Sequence, residues 1–302
     1  MKRIILYHND ADGRCAAAIA GRDAEGKGYD QVVYLVAEYG EELPDLSSYN
    51  LETPADDIWL VDFSYPLKTM VQLANFLGSS QFVWIDHHVS AIEQLADLEK
   101  ITGKLPGLRQ TEHAACALTW YFCNPGEQSP WAVEYVADRD TWKFEHGNLT
   151  RYFYELYLNA EDTGPNSDWW DTMIALGHTD LNRVLTRQGA WLYDARMKGL
   201  RSTAKRFGRE VTVTVGENGN VRAVKCLKVN HMPSGDMGQI IKDMGYELAW
   251  CYIEKRVNGD IQRTNTMYAG GDVDVSVIAR SKGGGGHRGA AGWIEVVGHE
   301  SA

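Results

Sequence analysis

Short apolar runs separated by polar loops set the pattern at the start of the chain. Residues 3–7, 31–36, 58–61 and 82–85 each hold consecutive apolar positions without polar alternation, the last two reading Ile-Trp-Leu-Val and Phe-Val-Trp-Ile. Such runs read as strands buried on both faces, as in a parallel sheet. The segments between them read as helices. Residues 15–20 are Ala-rich and favour helix. Pro66 stands where a helix carrying Leu67, Met70, Leu73, Ala74 and Leu77 would begin. Residues 43–55 are polar with prolines and read as loop. Strand and helix in alternation predict an α/β domain with a parallel sheet wound in βαβ units.

Past residue 110 the pattern turns helical. Residues 111–123 open on a capping-type Thr111, residues 131–137 lead into Asp138-Arg139-Asp140, and aromatic-rich tracts follow at 150–160 and 167–177. Residues 181–206 read as one long amphipathic helix joining two domains. The period then changes to two. Residues 211–215 alternate, Asn218-Gly219 signals a hairpin, and 221–227 return. A helix over 234–244, strands at 247–254 and 261–267 about Asn258-Gly259, and a last strand at 293–297 predict a smaller α+β domain. The expected division is 1–180, a helical connector over 181–207, and 208–302.

The polar residues that end the strands carry the chemistry. The first runs into His8-Asn9-Asp10-Ala11-Asp12-Gly13, the third into Asp62, and the fourth into Asp86-His87-His88. The C-terminal edge of a parallel sheet is where such folds bind ligands. An acidic helix start favoured by the helix dipole would explain Asp12 but explains His8 poorly. His8, Asp10 and Asp12 are expected on one side of an extended loop, with Gly13 turning the chain into the helix. Imidazole and carboxylate together suit divalent ions such as Mn²⁺ or Mg²⁺. Two such ions a few ångströms apart can activate water and clamp a phosphoryl group. The expected set is His8 and Asp10 for one ion, Asp12 and His87 for the other, and Asp62 between them. One more carboxylate would come from Asp138 or Asp140. Asp86 and His88 would orient ligands or touch substrate.

The run Gly283-Gly284-Gly285-Gly286-His287-Arg288 is the second candidate site. Four glycines would also fit a flexible surface loop. Glycines nevertheless expose backbone N–H groups to an anion, a helix starting near His287 would add to this, and His287 and Arg288 offer charge-assisted donors. Gly284, Gly285, Gly286, His287 and Arg288 are therefore the candidate phosphate cradle.

Composition narrows the function. A net charge of −11 over 302 residues, without a basic run, argues against a protein that tracks long duplex or single strands. Five scattered cysteines without a Cys-x-x-Cys pair argue for a reducing, cytoplasmic setting and against a disulfide framework or thiolate zinc site. No apolar run reaches the length of a membrane span, and the start of the chain does not read as a signal peptide.

Taken in order, His8-x-Asp10-x-Asp12-Gly13, Asp62, Asp86-His87-His88 and the Asp138/Asp140 segment resemble the four motifs of the DHH phosphoesterase superfamily. Gly-Gly-Gly-Gly-His-Arg-x-Ala-Ala-Gly over 283–292 resembles the signature of its DHH-associated C-terminal domain. The first motif departs from oligoribonuclease-type members, which have three residues between the His and the first Asp. It lies closer to the RecJ-like spacing, with His in first place. The fourth-motif aspartate can map onto Asp138 or Asp140. The resemblance implies two divalent ions, Mn²⁺ ahead of Mg²⁺, and hydrolysis of a phosphodiester or phosphoanhydride bond. Charge would be stabilised by the ions, His88, His287 and Arg288, with Asp86 supporting. The expected substrate is a short single-stranded oligonucleotide or dinucleotide, cut to mononucleotides. A cyclic-dinucleotide phosphodiesterase, a polyphosphate or pyrophosphate hydrolase, and a non-catalytic nucleotide sensor are the alternatives. Trp142, Tyr152, Phe153, Trp169 and Trp170 could stack bases or serve as core.

Overall fold

The computed structural model of the chain describes residues 1–51, 56–78, 81–217, 220–269 and 273–299. The chain divides into two units, Met1–Tyr193 and Asp194–Ala302. In the first, the elements run β1 (Lys2–His8), α1 (Ala11–Gly26), β2 (Gln31–Ala37), β3 (Asp57–Val61), α2 (Leu67–Leu77) and β4 (Phe82–Ile85). Helices α3 (Val89–Gln94), α4 (Leu98–Thr102), α5 (Ala115–Cys123), α6 (Trp131–Asp140), α7 (Asn148–Asn159), α8 (Asp168–Ala175) and α9 (His178–Val184) follow. A π-helical turn, Leu185–Gly189, leads into α10 (Ala190–Phe207), which carries the chain across the division.

The four strands form a parallel sheet in the order β2-β1-β3-β4. Both faces are covered, as the continuous apolar runs predict. Ile5, Trp59, Val61, Val83 and Ile85 pack with α1, α5 and α6 on one side. Ile4, Leu6, Ile58, Leu60, Phe82 and Trp84 pack with α2 and Leu98 of α4 on the other. Register then places the strand ends. Tyr7 pairs with Val61 and Val61 with Ile85, so His8, Asp62 and Asp86 leave three adjacent strands at one level.

Three local expectations are corrected. The chain enters α1 at Ala11, because the Asp10 carboxylate caps the helix by accepting from Gly13 N at 2.9 Å. Asp12 therefore lies in the first turn rather than on an extended loop. Helix α5 starts at Ala115 rather than Thr111, its free N–H groups being met from elsewhere in the chain. The segment 181–206 is interrupted by the π turn at Leu185–Gly189. There a Cβ on Gly189 would sit 2.6 Å from the Tyr152 carbonyl oxygen.

The second unit contains β5 (Arg209–Glu217), β6 (Asn220–Asn230), α11 (Gly235–Asp243), β7 (Leu248–Val257), β8 (Asp260–Ala269), α12 (Val275–Ser281), β9 (Gly285–His287) and β10 (Ala290–His299). Its mixed sheet has the order β5-β6-β7-β8-β10-β9, with β6 and β7 parallel across α11. Helix α12 covers one face, over Val224, Leu248, Met267 and Trp293. Helix α11 and the end of α10 cover the other, over Leu227, Val229 and Cys251. The predicted Asn218-Gly219 turn lies outside the described residues. Among those described, no helix is long and apolar enough to cross a membrane.

Candidate metal centre

Asp62 is the pivot of the strand-end cluster. It follows β3 with a left-handed backbone, φ 57°, which aspartate tolerates better than bulkier residues, and its N–H donates to the Ile85 carbonyl at 2.9 Å. Its side chain is 1% exposed, and neither carboxylate oxygen has a hydrogen-bond partner. Burial, then the neighbouring Asp12, Asp10, Asp140 and Asp86, push its carboxyl well above the usual range.

Around it the chain places imidazoles and carboxylates in three overlapping groups that could hold a metal ion: His8, Asp10 and Asp62; Asp12, His87 and Asp140; and Asp62, His87 and His88. Nδ1 of His8 is 3.1 Å from Asp10 Oδ2 and 3.8 Å from Asp62 Oδ2. Nε2 of His87 is 3.3 Å from Asp62 Oδ1, 3.4 Å from Asp140 Oδ2 and 3.6 Å from Asp12 Oδ2. Asp62 thus turns one oxygen toward His8 and the other toward His87. Asp140 Oδ2 is also buried without a partner. Burial, then Asp12 and Asp10, push its carboxyl up to about 8.

A buried carboxylate without donors, beside others of the same charge, is costly unless a cation or proton joins it. The donor set, imidazole nitrogen with carboxylate oxygen, fits a divalent ion such as Mn²⁺ or Mg²⁺. The residues present therefore fit the implied metal pair.

The supporting interactions are specific. Asp12, 1% exposed, accepts at 2.8 Å from both Ala115 N and Cys116 N. It is thus the cap that α5 lacks in its own sequence, with a negative charge at that helix N-terminus. Asp86 is fully buried. It accepts from His87 N at 2.7 Å, His88 N at 3.0 Å and His88 Nδ1 at 2.8 Å, and from Ser64 Oγ. The Asp86 hydrogen bond outweighs burial and raises the His88 pKa. With Nδ1 bound to a carboxylate, which accepts only, Nε2 is the free end of the His88 ring.

The two fourth-motif candidates separate. Asp140 faces the cluster, whereas Asp138 accepts from Glu145 N at 2.7 Å, His146 N at 3.2 Å and Thr150 Oγ1. Asp138 orders the turn between α6 and α7 and belongs to none of the three groups. Glu38, just past β2, was missed by the sequence reading. Its Oε2 lies 3.7 Å from His8 Nε2, and the signal was available, since β2 ends in an acid at the same sheet edge.

In the second unit, no helix begins near His287. Gly285–His287 instead forms an edge strand paired with β10, His287 opposite Ala290, so Arg288 and Gly289 turn a hairpin. Two glycines are required by packing. A Cβ on Gly284 would meet the Gly292 carbonyl at 2.1 Å, and Gly286, at φ 134°, would meet Ala291 Cα at 2.6 Å. His287 and Arg288 are exposed. The Arg288 carbonyl accepts from Val275 N at 3.0 Å.

No family model matches the chain. It is 24% identical to an uncharacterized protein of Acanthamoeba polyphaga mimivirus over 87% of its length, and spans 59% of that protein. Among solved structures it is similar to the DHH domain of a member of a family of ribosomal proteins. That likeness has a TM-score of 0.58 at 14% identity and covers 98% of this chain and 82% of the other. A pGpG-specific phosphodiesterase from Vibrio cholerae follows at TM-score 0.49 and 12% identity, covering 98% and 94%. RecJ in complex with Mn²⁺ from Thermus thermophilus follows at 0.43 and 13%, covering 97% and 49%. The chain shares the fold of that DHH domain, a parallel-sheet α/β unit followed by a smaller α+β unit.

Proposed function

We propose that this protein is a divalent-metal-dependent phosphodiesterase that hydrolyses short single-stranded oligonucleotides or dinucleotides to mononucleotides, working exonucleolytically in a reducing, cytoplasmic setting. One observation carries the reading: both oxygens of a fully buried aspartate, Asp62, lack partners amid three histidines and three further carboxylates. His8, Asp10 and Asp62 would hold one ion, and Asp12, His87 and Asp140 the other. When bound, the ions, Mn²⁺ ahead of Mg²⁺, supply charge neutralisation on the phosphoryl and leaving oxygens and activation of water.

The chain's own residues do the rest. Asp62 shares its two oxygens between the histidines on either side. Asp12 is fixed by the first N–H groups of α5, so its carboxylate cannot swing away. Asp86 holds the His88 ring and keeps it cationic to higher pH, so that its Nε2–H can donate to a phosphoryl oxygen. In the second unit the hairpin around His287 and Arg288 would take a substrate phosphate, the glycines letting the anion approach the backbone. The net charge of −11 disfavours long polymers as substrates.

The test is digestion of end-labelled RNAs of two to five nucleotides with added Mn²⁺, with chelator controls and with polyphosphate and a cyclic dinucleotide in parallel. The expected result is stepwise release of mononucleotides, abolished by chelator. Intact RNA beside consumed polyphosphate or cyclic dinucleotide would overturn the substrate. Turnover in chelator would overturn the metal dependence.

A further inference from the structure

A pocket in the first unit shares a wall with the acidic cluster. Asp10, Asp12 and Asp140 of the cluster line it together with Arg139, Trp142, Tyr154 and Tyr157. We propose that this pocket receives the nucleobase of the nucleotide whose phosphate is cut, and that Trp142, Tyr154 and Arg139 determine specificity for base-bearing substrates. The proposal rests on the phosphodiesterase reading and adds to it the part of the substrate that is recognised.

Three observations carry it. Trp142 is 66% exposed, although Phe153, which lines the same pocket, is buried core. Its backbone is held in the left-handed region, φ 56°, with its N–H donating to the Arg139 carbonyl at 3.0 Å. An exposed indole on a strained backbone is kept there at a cost; it packs edge-to-face with Phe144 at 5.6 Å, and most of its surface is left open to a stacking partner. Secondly, the Arg139 guanidinium lies 3.5 Å from the Tyr154 ring centroid, a cation–π pair on which a further planar group can stack.

Thirdly, the charge of the lining excludes a chain of phosphates. Arg139 is the one cation among the lining residues, and it turns its face to Tyr154. A second phosphate in this pocket would meet carboxylates and aromatic faces. An uncharged planar base would meet no like-charge repulsion there. Sequence order supplies the coupling, because Arg139 and Asp140 are consecutive at the end of α6 and Trp142 follows two residues beyond it. Whatever fixes Asp140 against the cluster also fixes the aromatic wall.

The experiment measures kcat and KM of the full chain with Mn²⁺ on a 5′-phosphorylated diadenylate and on the same molecule with either base removed. Trp142→Ala and Trp142→Phe are run alongside. The wild-type protein is expected to lose about tenfold or more in kcat/KM when one base is removed, chiefly through KM. Trp142→Ala should raise KM for the intact dinucleotide by a similar factor and close the gap to the abasic substrate, with Trp142→Phe restoring most of the preference. Equal treatment of intact and abasic substrates by the wild-type protein, or an unchanged KM in Trp142→Ala, would overturn the proposal.

Equilibrium dialysis of AMP against ribose 5-phosphate, with Ca²⁺ as the divalent ion, separates this inference from the activity. Tighter, Trp142-dependent binding of AMP without turnover of any phosphodiester would sustain the base pocket and sink the phosphodiesterase reading. Base-independent turnover of dinucleotides would do the reverse.

Discussion

Nε2 of His87 lies 3.3 Å from Oδ1 of Asp62, yet the carboxylate takes no hydrogen bond from it or from any other donor. The two side chains come from adjacent strand ends and face each other as partners of something else. This separates the roles of Asp62 in stability and in activity. As a buried, unpaired carboxylate on a left-handed backbone it opposes folding of the ion-free protein, while both its oxygens would be open to a cation.

Asp62→Asn removes the charge and keeps the shape, and asparagine tolerates the same backbone. Metal-dependent turnover is expected to fall by more than about a hundredfold, the scale on which single electrostatic groups act in catalysis. In chelator the variant should melt at or above the wild-type temperature, and added Mn²⁺ should raise its midpoint less than it raises that of the wild type. A variant that melts lower in chelator yet gains as much from Mn²⁺ would mean that Asp62 is a structural residue.

The titration of the cluster gives a signed pH dependence. The Asp140 carboxyl is pushed up to about 8 and that of Asp62 is raised with it, against about 3.9 in an unfolded chain. Between those limits the ion-free folded protein retains protons that the unfolded chain has released, so its stability falls as pH rises from about 4 to about 8. The raised pKa values of His8, bound by Asp10, and His88, bound by Asp86, pull the same way. Their contribution is full below about 6.5 and lost as pH passes their folded values. Divalent ions held by these residues would displace the protons. Binding near pH 7 should therefore release protons and tighten toward pH 8, as calorimetry in buffers of different ionisation enthalpy would report. Ion affinity that is flat or falls over that range would contradict the cluster.

How much of this was legible in the sequence follows from where each interaction reaches. The strand ends were legible because a buried strand has no reason to stop in His8, Asp62 or Asp86-His87-His88 unless the sheet edge uses them. Glu38 obeyed the same rule and was overlooked. The choice between Asp138 and Asp140 depends on helix rotation. Two residues on an α-helix point about 200° apart, so only one could face the cluster, and α6 had no visible anchor to say which. The cap on α5 was illegible, since Asp12 and Ala115 are 103 residues apart and no local pattern reports such a bond. The glycine run read as a cradle opening a helix, but its close approach to Ala291 and Gly292 makes it an edge strand.

The two aspartates that organise loops rather than accept ions alone should separate in a melt. Asp12→Ala leaves the Ala115 and Cys116 N–H groups buried without a partner, a loss of about 1–3 kcal/mol, together with ion-dependent activity. Asp138→Ala strips the acceptor from Glu145, His146 and Thr150 and should lower stability on the same scale. Its Mn²⁺ affinity should stay near that of wild type, whereas Asp140→Asn should keep its fold and lose affinity. Isothermal titration of the Asp138 and Asp140 variants decides the assignment, and the reverse pattern would return the ligand role to Asp138.

Within the second unit, structure and binding can be pulled apart at neighbouring positions. Gly286 adopts φ 134° with Ala291 Cα in the way of any Cβ, so Gly286→Ala should destabilise by about 1–3 kcal/mol. His287 next to it is exposed, and His287→Ala should stay within about 0.5 kcal/mol of the wild type. If the hairpin holds a substrate phosphate, His287→Ala should raise KM for a 5′-phosphorylated dinucleotide by about tenfold, as expected for one charge-assisted hydrogen bond. The same change should have little effect on the substrate's unphosphorylated counterpart. Removing the 5′-phosphate from the substrate and the imidazole from the protein should therefore not be additive. Additive losses would place His287 elsewhere on the substrate, and an unchanged KM would remove it from binding altogether.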